Sequence, residues 1–178
     1  CMDLKPDDRL MWISDFGWVV GPMITTVSTL AGATMVLVEG TPDYPDPGRM
    51  WRLVEQHEVS FLGVAPTTIR GLMRAGTEEV DKWDLSSLRV VPSTGEPWTD
   101  EAWNWCFEHV CGGKAPLFNW TGGTEIGGGI LVSTFMHPLK PCCFGGSIPG
   151  MEADILDDAG QSVAAGEVGE LVLRAPSI

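Results

Sequence analysis

Asn119-Trp-Thr-Gly-Gly-Thr-Glu-Ile-Gly-Gly-Gly129 follows a short apolar run, Ala115-Pro-Leu-Phe118, and sets five glycines around two threonines and one glutamate. Glycine lets a backbone turn sharply and lets a phosphate or a ring reach the main-chain N–H groups without meeting a Cβ. A threonine hydroxyl such as that of Thr124 can donate to a phosphate oxygen, and the carboxylate of Glu125 can hold a magnesium ion that bridges phosphates. The residue types are those of a nucleotide site, although a glycine-rich loop taken alone fits a plain surface turn better.

The elements around this loop set the fold class. Arg9–Ile13 reads as a short apolar strand, and Pro22–Gly32 as a largely buried helix. Thr34–Val38 is a β-branched run of the fully buried kind. Asp46 and Pro47 are placed to cap and open a helix over Pro47–His57. Val59–Val64 is the next strand and Thr67–Ala75 the next helix, with Thr67 at its cap. Glu78–Leu85 is a charged connector, and Leu88–Val91 a further strand before the turn Pro92–Pro97. Thr99-Asp-Glu-Ala102 opens a helix reaching His109, with acids in its first turn where the dipole favours them. Strands thus alternate with helices over roughly the first 120 residues, the pattern of a mostly parallel α/β sheet flanked by helices. Ligands in such sheets lie off the carboxyl ends of strands, where both Ser93–Pro97 and Asn119–Gly129 leave theirs.

Prolines and glycines punctuate the chain beyond Met136 and no helical period is visible. Glu152–Leu156 and Glu170–Arg174 alternate about the turn Asp157–Gly160, which reads as the start of a smaller antiparallel β unit. The expected organisation is an α/β subdomain over 1–136 and the opening of a β-rich one over 137–178.

Twenty-four acids against eleven bases give a formal charge of −13, which disfavours nucleic acid and anionic membranes as partners. No apolar run reaches the length of a membrane span. The five cysteines have neither a disulfide-framework nor a zinc-site spacing, which points to a reducing cytoplasm. Cys106 and His109 share a helix face, but no further ligand accompanies them. Trp12, Trp18, Trp51 and Trp83 read as packing residues.

Several short stretches resemble the adenylate-forming acyl-CoA synthetases, in the acetyl-CoA synthetase-like branch. Gly95-Glu96-Pro97 resembles their adenine-contacting turn, and Thr121-Gly-Gly-Thr-Glu125 their Y-G-x-T-E motif. Trp18-Val-Val-Gly21, Ala65-Pro-Thr-Thr-Ile-Arg70 and Gly166-Glu-Val-Gly-Glu-Leu171 match in the same order. The resemblance implies that Gly95, Glu96 and Pro97 line adenine, with Asn119 near its amine. It implies that Trp120, Thr121, Gly122 and Gly123 form the wall under adenine and α-phosphate, that Thr124 contacts that phosphate, and that Glu125 holds Mg2+. Val19, Val20, Thr94 and Gly122 would line the acyl pocket. Glycine at 122, where the acetyl branch has tryptophan, suggests an acid larger than acetate, and Val20 for that branch's threonine makes the pocket floor less polar.

The implied reaction uses ATP, Mg2+ and CoA to convert a carboxylic acid to an acyl-adenylate and then a thioester. The family's phosphate loop with its lysine would lie upstream of Cys1, and the ribose-binding aspartate and lid beyond Ile178. The chain therefore reads as an excerpt that is inactive alone. The competing reading is a non-catalytic α/β interaction domain without a nucleotide site. A dinucleotide-binding oxidoreductase is disfavoured because Gly127–Gly129 opens no helix after a buried first strand.

Overall fold

Successive residues of a strand point to opposite faces, so a strand covered on both sides carries apolar residues at every position. The first strand, β1 (Arg9–Trp12), does this from its second residue on: Leu10 and Trp12 join one core cluster, and Met11 joins the other. The computed structural model describes residues 2–174; Cys1 and the last four residues of the expected second β unit lie outside them. Helix α1 (Val20–Ala31) turns Val20 and Ile24 to the face of Leu10 and Trp12. Helices α2 (Arg49–Gln56), α3 (Pro66–Met73) and α5 (Asp100–Trp105) cover the face of Met11 with Trp51, Ile69 and Trp103. The short helix α4 (Glu78–Asp81) adds Val80 to that same core.

Strand β1 lies between β2 (Thr34–Val36) and β3 (Phe61–Gly63), parallel to both. Beyond β3 come β4 (Val91–Ser93) and β5 (Leu117–Gly123), parallel to each other. β3 meets β4 through parallel bridges at Phe61–Val90 and Val64–Ser93. Pro92 explains why these bridges are separate. Its carbonyl accepts from the Val64 N–H at 3.0 Å, but proline has no N–H to return to β3. The spatial order 2-1-3-4-5 reverses direction between β1 and β3, the switch point at which open α/β sheets leave a crevice. On the far side of β5 the pairing turns antiparallel, through β6 (Gly128–Val132) and β7 (Gly146–Ser147). A separate hairpin, β8 (Ala153–Leu156) with β9 (Glu170–Leu173), is antiparallel as expected.

The α/β class and its flanking helices are therefore those read from the sequence, while several local details differ. Thr34–Val38 is not a buried strand: β2 stops at Val36, pairs only with β1 among the described residues, and leaves Thr34 and Leu37 exposed. Asp46 does not cap α2. Its carboxylate accepts from the Arg52 guanidinium at 3.1 and 3.2 Å, and the helix begins later, after Gly48. Thr67 is inside α3 and not at its cap, because Pro66 takes the first position after Ala65. The expected strand Leu88–Val91 is shifted toward Ser93, since the sheet tolerates Pro92. Thr99 does cap α5, accepting from the Ala102 N–H at 3.3 Å. The helix read as reaching His109 gives way after Trp105 to a π-helical turn over Cys106–Val110.

Candidate nucleotide and acyl site

The glycine-rich stretch is a hairpin rather than a loop. Trp120 to Gly123 continue β5 and pair with β6, with a register shift between Thr121 and Gly122, and only 124–127 form the turn. The close pairing depends on glycine at 122. A Cβ built there would lie 2.1 Å from the Gly128 carbonyl oxygen and 2.7 Å from the Gly129 Cα. Gly122 thus has a structural reason to lack a side chain besides any effect on a pocket. The Thr124 hydroxyl accepts from the Val19 N–H at 3.2 Å, which ties the hairpin tip to the start of α1. That start is in turn set by Gly21, where a Cβ would come within 2.6 Å of the Phe16 backbone.

At the carboxyl ends of β1, β4 and β5 the hairpin tip encloses a cavity of about 420 Å³. Val19, Val20, Thr94, Gly122, Gly123, Thr124 and Glu125 all line it, together with Trp12, Ile13, Ser14, Trp18 and Ala65. A second cavity, of about 370 Å³, is lined by Gly95, Glu96, Pro97, Asn119, Trp120, Thr121 and Gly122, with Cys142 and Phe144. Thr94, Gly95, Trp120 and Gly122 line both, so the two spaces adjoin across a shared wall. Every residue that the likeness assigns to nucleotide, metal or acyl group thus lines at least one of the two cavities. Val19, Val20, Gly123, Thr124 and Glu125 face the first alone, Glu96, Pro97, Asn119 and Thr121 the second alone, and Thr94, Gly95, Trp120 and Gly122 face both.

The turn after β4 is built from polar contacts. Trp98 donates from Nε1 to the buried Ser93 hydroxyl at 2.9 Å. The Glu96 carboxylate accepts from the Thr67 N–H at 3.1 Å, contacts the Thr67 hydroxyl, and pairs with Arg70. It therefore joins the turn to the first turn of α3. Partial burial pushes the Glu96 carboxyl up, but the hydrogen bonds from Thr67 and Arg70 outweigh it and hold the group below its ordinary value. Arg70 and Thr67 belong to a stretch whose family likeness gave them no role, and this clamp is the role the geometry shows. Trp18, read as packing, is 62% exposed and faces the first cavity. Cys142 and Phe144 gave no signal in the sequence, lying in a proline- and glycine-punctuated run without periodicity.

The Glu125 carboxylate is exposed and has no ion pair among the described residues. Such a carboxylate suits Mg2+, which takes one or two protein carboxylates and completes its shell with phosphates and water. No lysine or arginine lines either cavity among the described residues. Among the same residues, no group of three or more His, Cys, Asp or Glu could hold a metal without help.

The sequence model of the AMP-binding enzyme family matches residues 1–178. The chain belongs to that family. It is 42% identical to an acetyl-coenzyme A synthetase of Chromobacterium violaceum over 98% of its length and 27% of that protein's. It is 38% identical to one from Pyrobaculum aerophilum, again over 98% of this chain and 27% of the relative. The acetoacetyl-CoA synthetase from Streptomyces lividans superposes with a TM-score of 0.84 at 26% identity, over 96% of this chain and 26% of that one. The chain spans about a quarter of the length of the relatives it matches. No described helix is long and apolar enough to cross a membrane.

Proposed function

We propose that this chain is part of an ATP-dependent, AMP-forming acyl-CoA synthetase that activates a carboxylic acid larger than acetate and passes it to CoA in the cytoplasm. The observation that carries the reading is the shared wall: two adjoining cavities at the strand ends, between them lined by every residue that the likeness assigns to nucleotide, metal or acid. In this reading a carboxylate oxygen attacks the α-phosphorus of ATP and the bond to pyrophosphate breaks. The thiol of CoA then attacks the acyl carbon, and AMP leaves.

The chain's residues bind and orient. The Thr124 oxygen already accepts the Val19 N–H, so its hydroxyl proton is free to donate to an α-phosphate oxygen. Gly95–Pro97, Asn119 and the strand from Trp120 to Gly123 would hold the adenine end. Glu125 would hold Mg2+, which when bound supplies positive charge against the phosphates. Val19, Val20, Thr94 and Gly122 would line the acyl end. A cavity of about 420 Å³ with Trp12, Trp18 and two valines in its wall supports an acid with more apolar surface than acetate. The same reading assigns 1–136 to an α/β subdomain and 137–178 to the opening of a β-rich one.

The test is carboxylate-dependent ATP–pyrophosphate exchange by the whole protein, across a series of acids. The reading expects exchange that favours acids longer than acetate. Absence of exchange with every acid would favour a non-catalytic interaction domain. Exchange with acetate best of all would refute the acyl assignment alone.

A further inference from the structure

The second cavity has a wall that none of the family-like motifs supplies. The segment around Cys142–Phe144 crosses from β6 to the start of α5 and is fixed at both ends. On the β6 side, the Gly145 N–H donates to the Val132 carbonyl at 3.1 Å, and the Ser133 hydroxyl donates to the Cys143 carbonyl at 3.3 Å. On the α5 side, the Cys142 thiol donates to the Asp100 carboxylate at 3.2 Å. Burial first, and Asp100 beside it, push that thiol up to about 11, so it remains a protonated donor at neutral pH. The strap thus spans the opening between the turn after β4 and the strand that carries Asn119.

A purine bound there needs an aromatic or apolar face to stack on. Three aromatic rings line the cavity. Trp98 is 7% exposed and Trp120 5%, both spent on the core, whereas Phe144 is 39% exposed. The position at which the Y-G-x-T-E pattern carries its tyrosine is Thr121 here, so β5 offers no ring of its own at that point. Building on the nucleotide reading above, we propose that Phe144, held out by the Cys142–Asp100 tether, is the ring on which the adenine base stacks.

The experiment uses the whole protein. Wild type, Phe144→Ala and Phe144→Tyr are compared in ATP–pyrophosphate exchange, with KM for ATP and for the carboxylate measured separately. Direct binding of AMP is followed by calorimetry, and folding is checked by near-ultraviolet circular dichroism. Loss of one stacked base predicts that Phe144→Ala weakens ATP and AMP about five-fold or more. The KM for the acid should not change, and Phe144→Tyr should restore nucleotide affinity. Cys142→Ala, which frees one end of the strap, should weaken AMP in the same direction, and Cys142→Ser, which keeps a donor, should not. A folded Phe144→Ala protein with unchanged AMP affinity overturns the stacking role while leaving the synthetase reading intact. A wild-type protein that binds no adenine nucleotide overturns both.

Discussion

Replacing Gly122 by alanine is the sharpest perturbation that the hairpin allows. The added carbon would lie 2.1 Å from the Gly128 carbonyl oxygen, 2.9 Å from its carbon and 2.7 Å from the Gly129 Cα. All three neighbours are backbone, so no side-chain rotation relieves the contact. β5 and β6 must separate by about 1 Å to restore an ordinary distance, and overpacking of this kind costs about 1–3 kcal/mol. The same displacement moves the turn that carries Thr124 and Glu125. A misplacement of about 1 Å in reacting groups lowers a rate by about 100-fold. Gly128→Ala is the matched control, because a Cβ there meets nothing within 4 Å, and its stability should stay within about 0.5 kcal/mol of wild type. Thermal unfolding and ATP–pyrophosphate exchange of the whole protein read the two effects. If Gly122→Ala is as stable and as active as Gly128→Ala, the close pairing of the hairpin is wrong.

Four further outcomes follow from the same geometry. Glu125→Gln should reduce exchange by about 100-fold or more while leaving the melting temperature unchanged, since the carboxylate is exposed and unpaired among the described residues; an active Gln variant would remove Glu125 from the site. Glu96 has a lowered folded pKa, so the stability its clamp adds is present above its ordinary 4.5 and is lost as pH falls through the lower folded value. The difference in melting temperature between wild type and Glu96→Gln should therefore shrink on acidification below that range, and a constant difference would contradict it. Val19→Phe should narrow the first cavity and lower kcat/KM for longer acids relative to acetate, and an unchanged preference would exclude Val19 from the acyl wall. Asp8 is buried and pairs with Arg89 and the Ser60 hydroxyl, so Asp8→Asn should cost about 1.5–3 kcal/mol by denaturation without altering KM for ATP.

The sheet was legible because β1 to β4 are short and each is followed by a helix. Leu10, Met11 and Trp12 are apolar in succession, which reads as a strand, and the two core clusters show that both of its faces are covered. The edge position of Thr34–Val36 was not legible, because apolar content reports burial of faces and says nothing about which strand lacks a neighbour. Pro92 misplaced a strand boundary for a sound reason: proline normally stays out of central strands, and here the ladder divides into two bridges around it. The glycine run read as a loop because glycine marks turns and close approach alike, and only pairing across the bulge at Thr121–Gly122 separates the two.

For the site, the residues in local motifs all lie on two adjoining cavities, but four of them line both and the division between nucleotide and acyl groups is not drawn by the cavities. What was missed acts across long sequence distances. Arg70 meets Glu96 26 residues away, and Cys142 meets Asp100 over 42. No spacing rule links such pairs: the sheet order brings the turn after β3 beside the turn after β4 for the first, and the segment between β6 and β7 meets α5 for the second. Phe144 had no periodic context and was invisible until the strap was seen to cross the cavity.

The most direct measurement is a crystal structure of the whole protein with a non-hydrolysable acyl-adenylate analogue. The account predicts the purine between the Gly95–Pro97 turn and Phe144, the phosphate mimic beside Thr124, and the acyl chain among Trp12, Val19 and Val20. A purine seated in the cavity of Trp12 and Val19, or an analogue bound away from the Trp120–Gly122 wall, would contradict it.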